Sequence, residues 1–377
     1  MKLSWGAALT AAVTVLALSG CSSAVPGPSQ ATSAVSTPVS SPTPVSPANS
    51  PLTCSDLVPS IDAETALASP SAPADYTTLL SYPSPYDFAS TIAGGIRCAW
   101  VADGSRGTGS TAIGQPGVPW LDVQVLPGAA SDWTSYTFGD GPGTTATTPF
   151  AGFDGAHSCG DPGCKATAPI GSAWVSIMMH GAGSNTGDPL AGTTEGEVFA
   201  KLVPAAAALF GTVQKATTAQ LDWPATPART LSPEVEPCSS FLKAPALAQA
   251  LGVPSVGDYA SDAPLPNEIV SLESTALRHA GAVRCTAGTD GSARADFVLL
   301  TNNAAIVGRI ATGLTPDSAE HAAKLPNQTG TETTVSNCSS DRTACDLWFT
   351  LGADAIYVSS VSSDSMAVAT AIIDQAR

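Results

Sequence analysis

Residues 94–100 read Gly-Gly-Ile-Arg-Cys-Ala-Trp, and residues 281–287 read Gly-Ala-Val-Arg-Cys-Thr-Ala. In both, a glycine turn leads into an apolar residue, an arginine and a cysteine on alternating faces, the pattern of a β-strand entered through a tight turn. Working outward, the eight cysteines after Cys21 fall at 54, 98, 159, 164 and at 238, 285, 338, 345, with gaps of 44, 61 and 5 in one set and 47, 53 and 7 in the other. Two quartets with matched registers read as two copies of one unit.

The flanking residues agree. Cys54-Ser55-Asp56-Leu57-Val58 matches Cys238-Ser239-Ser240-Phe241-Leu242, and an Ala-Leu pair follows each turn, at Ala66-Leu67 and Ala250-Leu251. These patterns predict a short helix on a cysteine-bearing turn. Ser60 suits the start of the first, with Asp62 and Glu64 near the positive helix end; Pro245 and Gly252 suit the start and stop of the second. After the Arg-Cys strands come Leu121 to Leu126 and Ala295 to Leu300, each carrying one aspartate in register, Asp122 or Asp296, which reads as an outward-facing strand residue. Further strands are expected at 173–178 and 355–358. Each copy closes on a helix, the first opened by a Thr194-Glu195-Gly196-Glu197 capping box and interrupted or kinked by Pro204. The expected fold class is therefore α+β: two similar domains, each an antiparallel sheet with helices on one face, stapled by disulfides. The boundaries read as 53–210 for the first domain, 211–236 for a Thr/Pro/Ala-rich linker and 237–377 for the second.

The N-terminus supplies an address. Residues 1–20, with Lys2 ahead of an apolar stretch from Ala7 to Leu18, read as an export signal. Leu18-Ser19-Gly20-Cys21 resembles the bacterial lipobox, which implies diacylation of Cys21 and cleavage before it. Residues 21–52 are rich in Ser, Thr, Pro, Ala and Val and carry no charge; this composition favours an extended tether and cannot build a core. Lys201 and Pro204 break the best later apolar run, so anchoring is expected through lipid rather than a spanning helix.

Export places the cysteines outside the reducing cytosol, where even quartets read as disulfides. Each quartet allows three pairings. Cys159 with Cys164 and Cys338 with Cys345 are close enough in sequence to pair at little loop cost, which leaves Cys54 with Cys98 and Cys238 with Cys285. Closing those longer loops constrains the unfolded chain by roughly 3–4 kcal/mol each on the chain-entropy model. Zinc is the competing reading, but no Cys-x-x-Cys pair occurs, and no metal or other cofactor is expected.

Only 12% of residues are charged, against about a quarter in ordinary domains, and the net charge of −16 excludes a broad anionic partner such as nucleic acid. The four histidines, His157, His180, His279 and His321, do not match between copies, and no nucleophile-elbow, P-loop or zinc-protease motif is present. Arg97 and Arg284, each one residue before a cysteine, read first as partners of acids across the sheet and second as anion binders. Trp100 and Trp174 read as core; Trp120, Trp133 and His157 join Arg97 as candidate ligand residues around a Gly-rich loop at 103–119.

Taken together, the two Cys-Ser-x-apolar-apolar turns, Arg97-Cys98-Ala99-Trp100, the alternating strand after it and the lipobox tether resemble the small cysteine-bearing cell-envelope lipoproteins of actinobacteria, of the DUF3558 kind. The resemblance implies a sheet-and-helix fold and supplies no catalytic residue; in the second copy Thr286-Ala287 stand where the first has Ala99-Trp100. The expected function is a non-enzymatic, membrane-anchored extracytoplasmic module that binds a cell-envelope glycan, peptide or protein through the first domain's loops or a cleft between copies. A cell-wall hydrolase or transferase is the alternative, and a structural spacer a third reading.

Overall fold

The computed structural model describes residues 50–78, 83–102, 119–135, 148–160, 163–180, 192–223, 237–261, 270–288, 294–313, 324–338, 345–360 and 365–377. The signal, Cys21, the tether up to residue 49, the Gly-rich loop up to residue 118, the second half of the linker and His321 lie outside this set.

The duplication is visible strand by strand. In the first copy α1 (Cys54–Leu57), α2 (Ser60–Leu67), β1 (Ser71–Ala74) and α3 (Pro85–Ile92) precede β2 (Ile96–Ala102) and β3 (Trp120–Leu126). Then follow β4 (Thr148–Phe150), β5 (Phe153–Gly160), β6 (Gly163–Ile170), β7 (Ala173–His180) and α4 (Glu195–Lys215). The second copy repeats the series as α5 (Pro237–Phe241), α6 (Ala244–Ala250), β8 (Gly257–Ser261), α7 (Leu272–His279), β9 (Val283–Gly288), β10 (Arg294–Leu300), α8 (Ala304–Gly313), β11 (Thr334–Cys338), β12 (Cys345–Leu351), β13 (Asp354–Ser360) and α9 (Ser365–Ala376). The sheet orders are β1-β2-β3-β7-β6-β5-β4 and β8-β9-β10-β13-β12-β11, the second being the first without its last strand. Every described pairing is antiparallel. The two Arg-Cys strands hold equivalent registers, with Cys98 opposite Val123 and Cys285 opposite Phe297.

Strand alternation sorts side chains between two faces. In the first sheet Cys98, Trp100, Leu121, Val123, Val125, Val175, Ile177 and Met179 form an outer core with α2 and α4. Val198, Leu202, Ala206, Leu209 and Val213 of α4 point into it at helical spacing, behind a capping box in which Thr194 and Glu197 satisfy each other's backbone N–H groups. Contrary to the sequence expectation, Pro204 does not divide this helix, which runs unbroken for 21 residues. By length and composition α4 is apolar enough to cross a membrane, yet this stripe is packed in the core. The second sheet has a matching outer core under α9, built on Cys285, Phe297, Leu299, Ile356, Val358, Val368 and Ile372.

The α+β class and its antiparallel sheets stand as expected, and the structure adds a second helical layer. The short helices α3 and α7 lie on the opposite, inner face of their sheets and pack against each other. Phe88, Ala89 and Ile92 of α3, Leu272, Ala276 and Leu277 of α7, and Ile306, Val307 and Ile310 of α8 form one buried cluster with Trp120 and Trp174 from the first sheet and Val298 and Trp348 from the second. The layers therefore run helix, sheet, helix, sheet, helix, and residues 46–377 form one unit. The interface expected to hold a cleft is filled by this shared core. The first copy also continues past residue 210: α4 extends to Lys215, and buried Trp223 donates its indole N–H to the Leu52 carbonyl at 2.7 Å.

Among the described residues three disulfides staple the layers. Cys54–Cys98 ties α1 to β2, and Cys238–Cys285 ties α5 to β9, both with Cα atoms 5.6 Å apart. Cys159–Cys164 crosses the β5–β6 pair. Cys338 and Cys345 sit opposite each other in the β11–β12 register; the bridge expected there falls on side chains outside the described set.

Candidate functional site on the inner sheet face

The inner face of the first sheet carries a row of polar residues that sequence patterning places at strand positions facing away from the outer core. Arg97, Gln124, Ser176 and Thr167 stand side by side across β2, β3, β7 and β6, and Ala99, Asp122, Met178 and Lys165 form the next row. Asp122 does not face solvent as expected from sequence. It is 5% exposed and grips Arg97 through two parallel hydrogen bonds, Nε to Oδ1 at 2.9 Å and Nη2 to Oδ2 at 2.8 Å. The third guanidinium nitrogen donates to the Asp87 carboxylate at 3.0 Å and its backbone carbonyl at 2.9 Å, and the Tyr76 ring lies 5.0 Å from the guanidinium carbon. Burial would push Arg97 toward neutrality; Asp122 and Asp87 outweigh it and keep the charge. Asp87 also closes the α3 capping box by accepting from the backbone N–H and hydroxyl of Ser84, both at 2.8 Å. Arg97 therefore locks a helix start to a sheet, the structural role that its scarcity and position allowed.

The network crosses into the second copy. Ser90 donates to Gln124 Oε1 at 2.6 Å, and Gln124 Nε2 donates to Glu273 Oε1 at 2.9 Å. Glu273 is the second residue of α7, as Tyr86 is of α3, and Arg284 lies 5.9 Å over the Tyr86 ring. Each helix thus offers its second residue to the other copy's sheet. The exchange recurs one turn earlier: Trp348 donates its indole N–H to the Pro83 carbonyl at 2.7 Å, and Thr134 donates to the Val270 carbonyl at 2.8 Å, these carbonyls lying just before the caps of α3 and α7. His279 meets Asp132 at 2.9 Å across the same interface.

Beyond this network lies a corner with polar groups left over. His180, the last residue of β7, stacks flat on Trp120, with ring centroids 3.9 Å apart and planes 1° from parallel. Its Nε2 is buried without a hydrogen-bond partner. On β6 the residue opposite His180 is Gly163, where a Cβ would lie 1.8 Å from the Met179 carbonyl oxygen, so no side chain can stand there. Lys165, Met178 and Ser158 in the adjoining row are half-buried. Burial, helped by Arg97 and Lys165 and opposed by Glu273, holds His180 down at about 3. Burial would raise Glu273, but Lys165, its own backbone N–H, Arg97 and Ser271 bring it to about 2.

A pH dependence follows. An unfolded histidine titrates near 6.5, so between there and about 3 the unfolded chain takes up a proton that folded His180 refuses. Stability is complete above pH 6.5 and falls as pH falls, by up to about 1.4 kcal/mol per unit. Glu273 adds to the loss below the usual carboxylate range, because it stays ionised in the fold down to about 2. Urea unfolding at pH 7, 6 and 5 should show this slope in the native protein and a flatter one in His180→Gln; equal slopes would assign the effect to another group.

The sequence candidates are not brought together. Trp120 joins the His180 corner, and Arg97 is engaged by Asp122 and Asp87. Trp133 is half-buried at the edge of the shared core, after a 3-10 turn at Ala130–Asp132, with its indole nitrogen unpartnered. His157 lies on the other face of the sheet, stacked 4.3 Å from Phe199 and tilted against Phe150 at 5.3 Å, and Cys159 two residues on is bridged. Trp100 and Trp174 are core residues, as expected. Sequence reasoning missed Lys165, His180, Gln124 and Glu273. The β7 alternation running on to position 180 was the one signal for His180; nothing local marks Glu273 as facing the other copy. Among the described residues no group of three or more His, Cys, Asp or Glu side chains could hold a metal ion.

Fold and site together define a disulfide-stapled α+β protein made of two fused copies, with a polar corner on one inner sheet face. No family model, no curated protein and no solved structure matches the chain.

Proposed function

We propose that this is an exported lipoprotein, anchored through Cys21 on the extracytoplasmic face of the cell membrane and resembling the DUF3558 kind, whose folded part is a non-enzymatic binding module of the cell envelope. The three disulfides support export, because such bridges persist in oxidising compartments. The observation that carries the binding reading is the His180 corner. Arg97, Asp122, Gln124 and Glu273 satisfy one another, whereas among the described residues the buried His180 Nε2 has no hydrogen-bond partner and Lys165 makes no hydrogen bond or ion pair. The hydrolase or transferase alternative draws less support: the sulfur beside His157 is bridged and Asp122 is held by Arg97.

Two measurements test this. Membrane partition of the full chain should be lost in Cys21→Ala, and persistence there would sink the lipid anchor. Immobilised mature protein should retain a component of cell-wall fractions that the Lys165→Met/His180→Gln double variant does not; equal retention by both, or none by either, removes the binding reading at this corner.

A further inference from the structure

Of the three described bridges, Cys159–Cys164 is placed unlike the others. The long bridges run from a helix to an interior strand, where Cys98 and Cys285 lie under the outer cores at 1% and 0% exposed, and Cys238 is 2% exposed. Cys159 sits on the last stretch of β5, where residues 156–160 pair with β6 alone and β4 reaches only residues 153–155. It is half-buried, so solvent reaches this half of the bridge at a sheet edge. Cys54 is half-buried too, but it opens α1 and its bridge closes 44 residues, so breaking it frees the helix that carries buried Leu57. The short bridge closes only 5 residues, between strands that the β5–β6 ladder already holds together, and the fold survives its opening.

The two sulfurs share one further neighbour. The Glu195 carbonyl, in the first turn of α4, lies 3.7 Å from Cys159 Sγ and 3.9 Å from Cys164 Sγ. A disulfide sulfur has no hydrogen to give it and a thiol does, so this acceptor favours the reduced pair, and a stabilised dithiol makes a bridge easier to reduce. Cys238 Sγ also faces a carbonyl, that of Arg284 at 3.7 Å, but both halves of its bridge are buried away from an attacking thiolate. We infer that Cys159–Cys164 is a reversible dithiol–disulfide couple, which exchanges with a dithiol reductant while the two long bridges stay closed. The attacking thiolate bonds to Cys159 Sγ, the Cys159–Cys164 bond breaks, and Cys164 leaves as a thiolate that takes a proton from water. The reductant's second thiolate then displaces Cys159 from the mixed disulfide. Two electrons pass, so the bridge becomes two thiols and the dithiol becomes a disulfide. The Glu195 carbonyl accepts from a new thiol, and the start of α4 keeps its contact with the end of the β5–β6 pair.

The test incubates the natively folded full chain with dithiothreitol, stops the reaction at intervals with iodoacetamide, and follows the cysteines of the three bridges by peptide mass spectrometry. The expected result is labelling of Cys159 and Cys164 at least about tenfold faster than of Cys54, Cys98, Cys238 and Cys285. The circular dichroism of the fold stays unchanged meanwhile, and oxidised glutathione restores the bridge. Labelling of all three bridges at one rate overturns the proposal. So does loss of the folded signal in step with Cys159 and Cys164, because reduction then follows unfolding. Reduced glutathione, a monothiol, reads the point of attack: its mixed disulfide is expected on Cys159, and an adduct on Cys164 instead overturns the route through the half-buried sulfur.

Discussion

Replacing Arg97 with methionine lowers the stability of the folded unit by about 3–5 kcal/mol, read from urea or thermal unfolding. The reason is what stays behind. Asp122 is 5% exposed and holds Arg97 by two hydrogen bonds, so the variant leaves a buried carboxylate without its counter-charge. Asp87 loses a partner at the α3 cap, and Glu273 loses one of the positive charges that keep it ionised. A second substitution separates charge from shape: Arg97→Met/Asp122→Leu removes both members of the pair, and most of the loss should be recovered because no uncompensated charge remains. A loss under about 1 kcal/mol in the single variant, or no recovery in the double, would show that the pair is not what joins α3 to the sheet. Because the network ends on Glu273 in the other copy and the inner core is shared, both copies should unfold in one transition.

The disulfides should differ among themselves by the loops they close. Removing Cys54–Cys98 or Cys238–Cys285 as a Cys-to-Ala pair frees a loop of 44 or 47 residues, and the chain-entropy relation gives about 4 kcal/mol for each. Removing Cys159–Cys164 frees only 5 residues, for which the same relation gives about 2 kcal/mol. The long bridges also hold α1 and α5 on their sheets, next to buried Leu57 and Leu242, so their loss exposes those edges as well. Guanidinium unfolding of the three double variants checks the ranking. If the short bridge proves as costly to remove as the long ones, the stabilisation resides in the β5–β6 pairing and not in the unfolded chain.

Cysteine spacing and strand alternation were enough to read the duplication, the Arg-Cys strands, the long bridges and the capping box of α4, because each depends on residues near one another in sequence or repeated at a fixed offset. The helices α3 and α7 were missed although Ser84-Pro85-Tyr86-Asp87 and Ser271-Leu272-Glu273-Ser274 both carry start signals. Each is only eight residues long, little more than two turns, so its apolar residues repeat too few times along the chain for the helical period to stand out. Asp122 was misjudged for a related reason. An acid alternating with apolar neighbours reads as solvent-facing only when one face of the sheet is wet, and here both faces are covered.

What the amino-acid order determined by itself is therefore local and periodic: two copies, their strands and the three bridges seen among the described residues. The tertiary structure decided which side of each strand meets water, that the copies share one core, and which polar groups remain without a partner. A hydrogen bond such as Gln124 to Glu273 joins residues 149 positions apart; their meeting depends on how α7 packs beneath the other sheet, and no pattern along the chain encodes it. The same packing engages Arg97 and leaves His180 Nε2 buried without a partner, which no pattern along the chain announces.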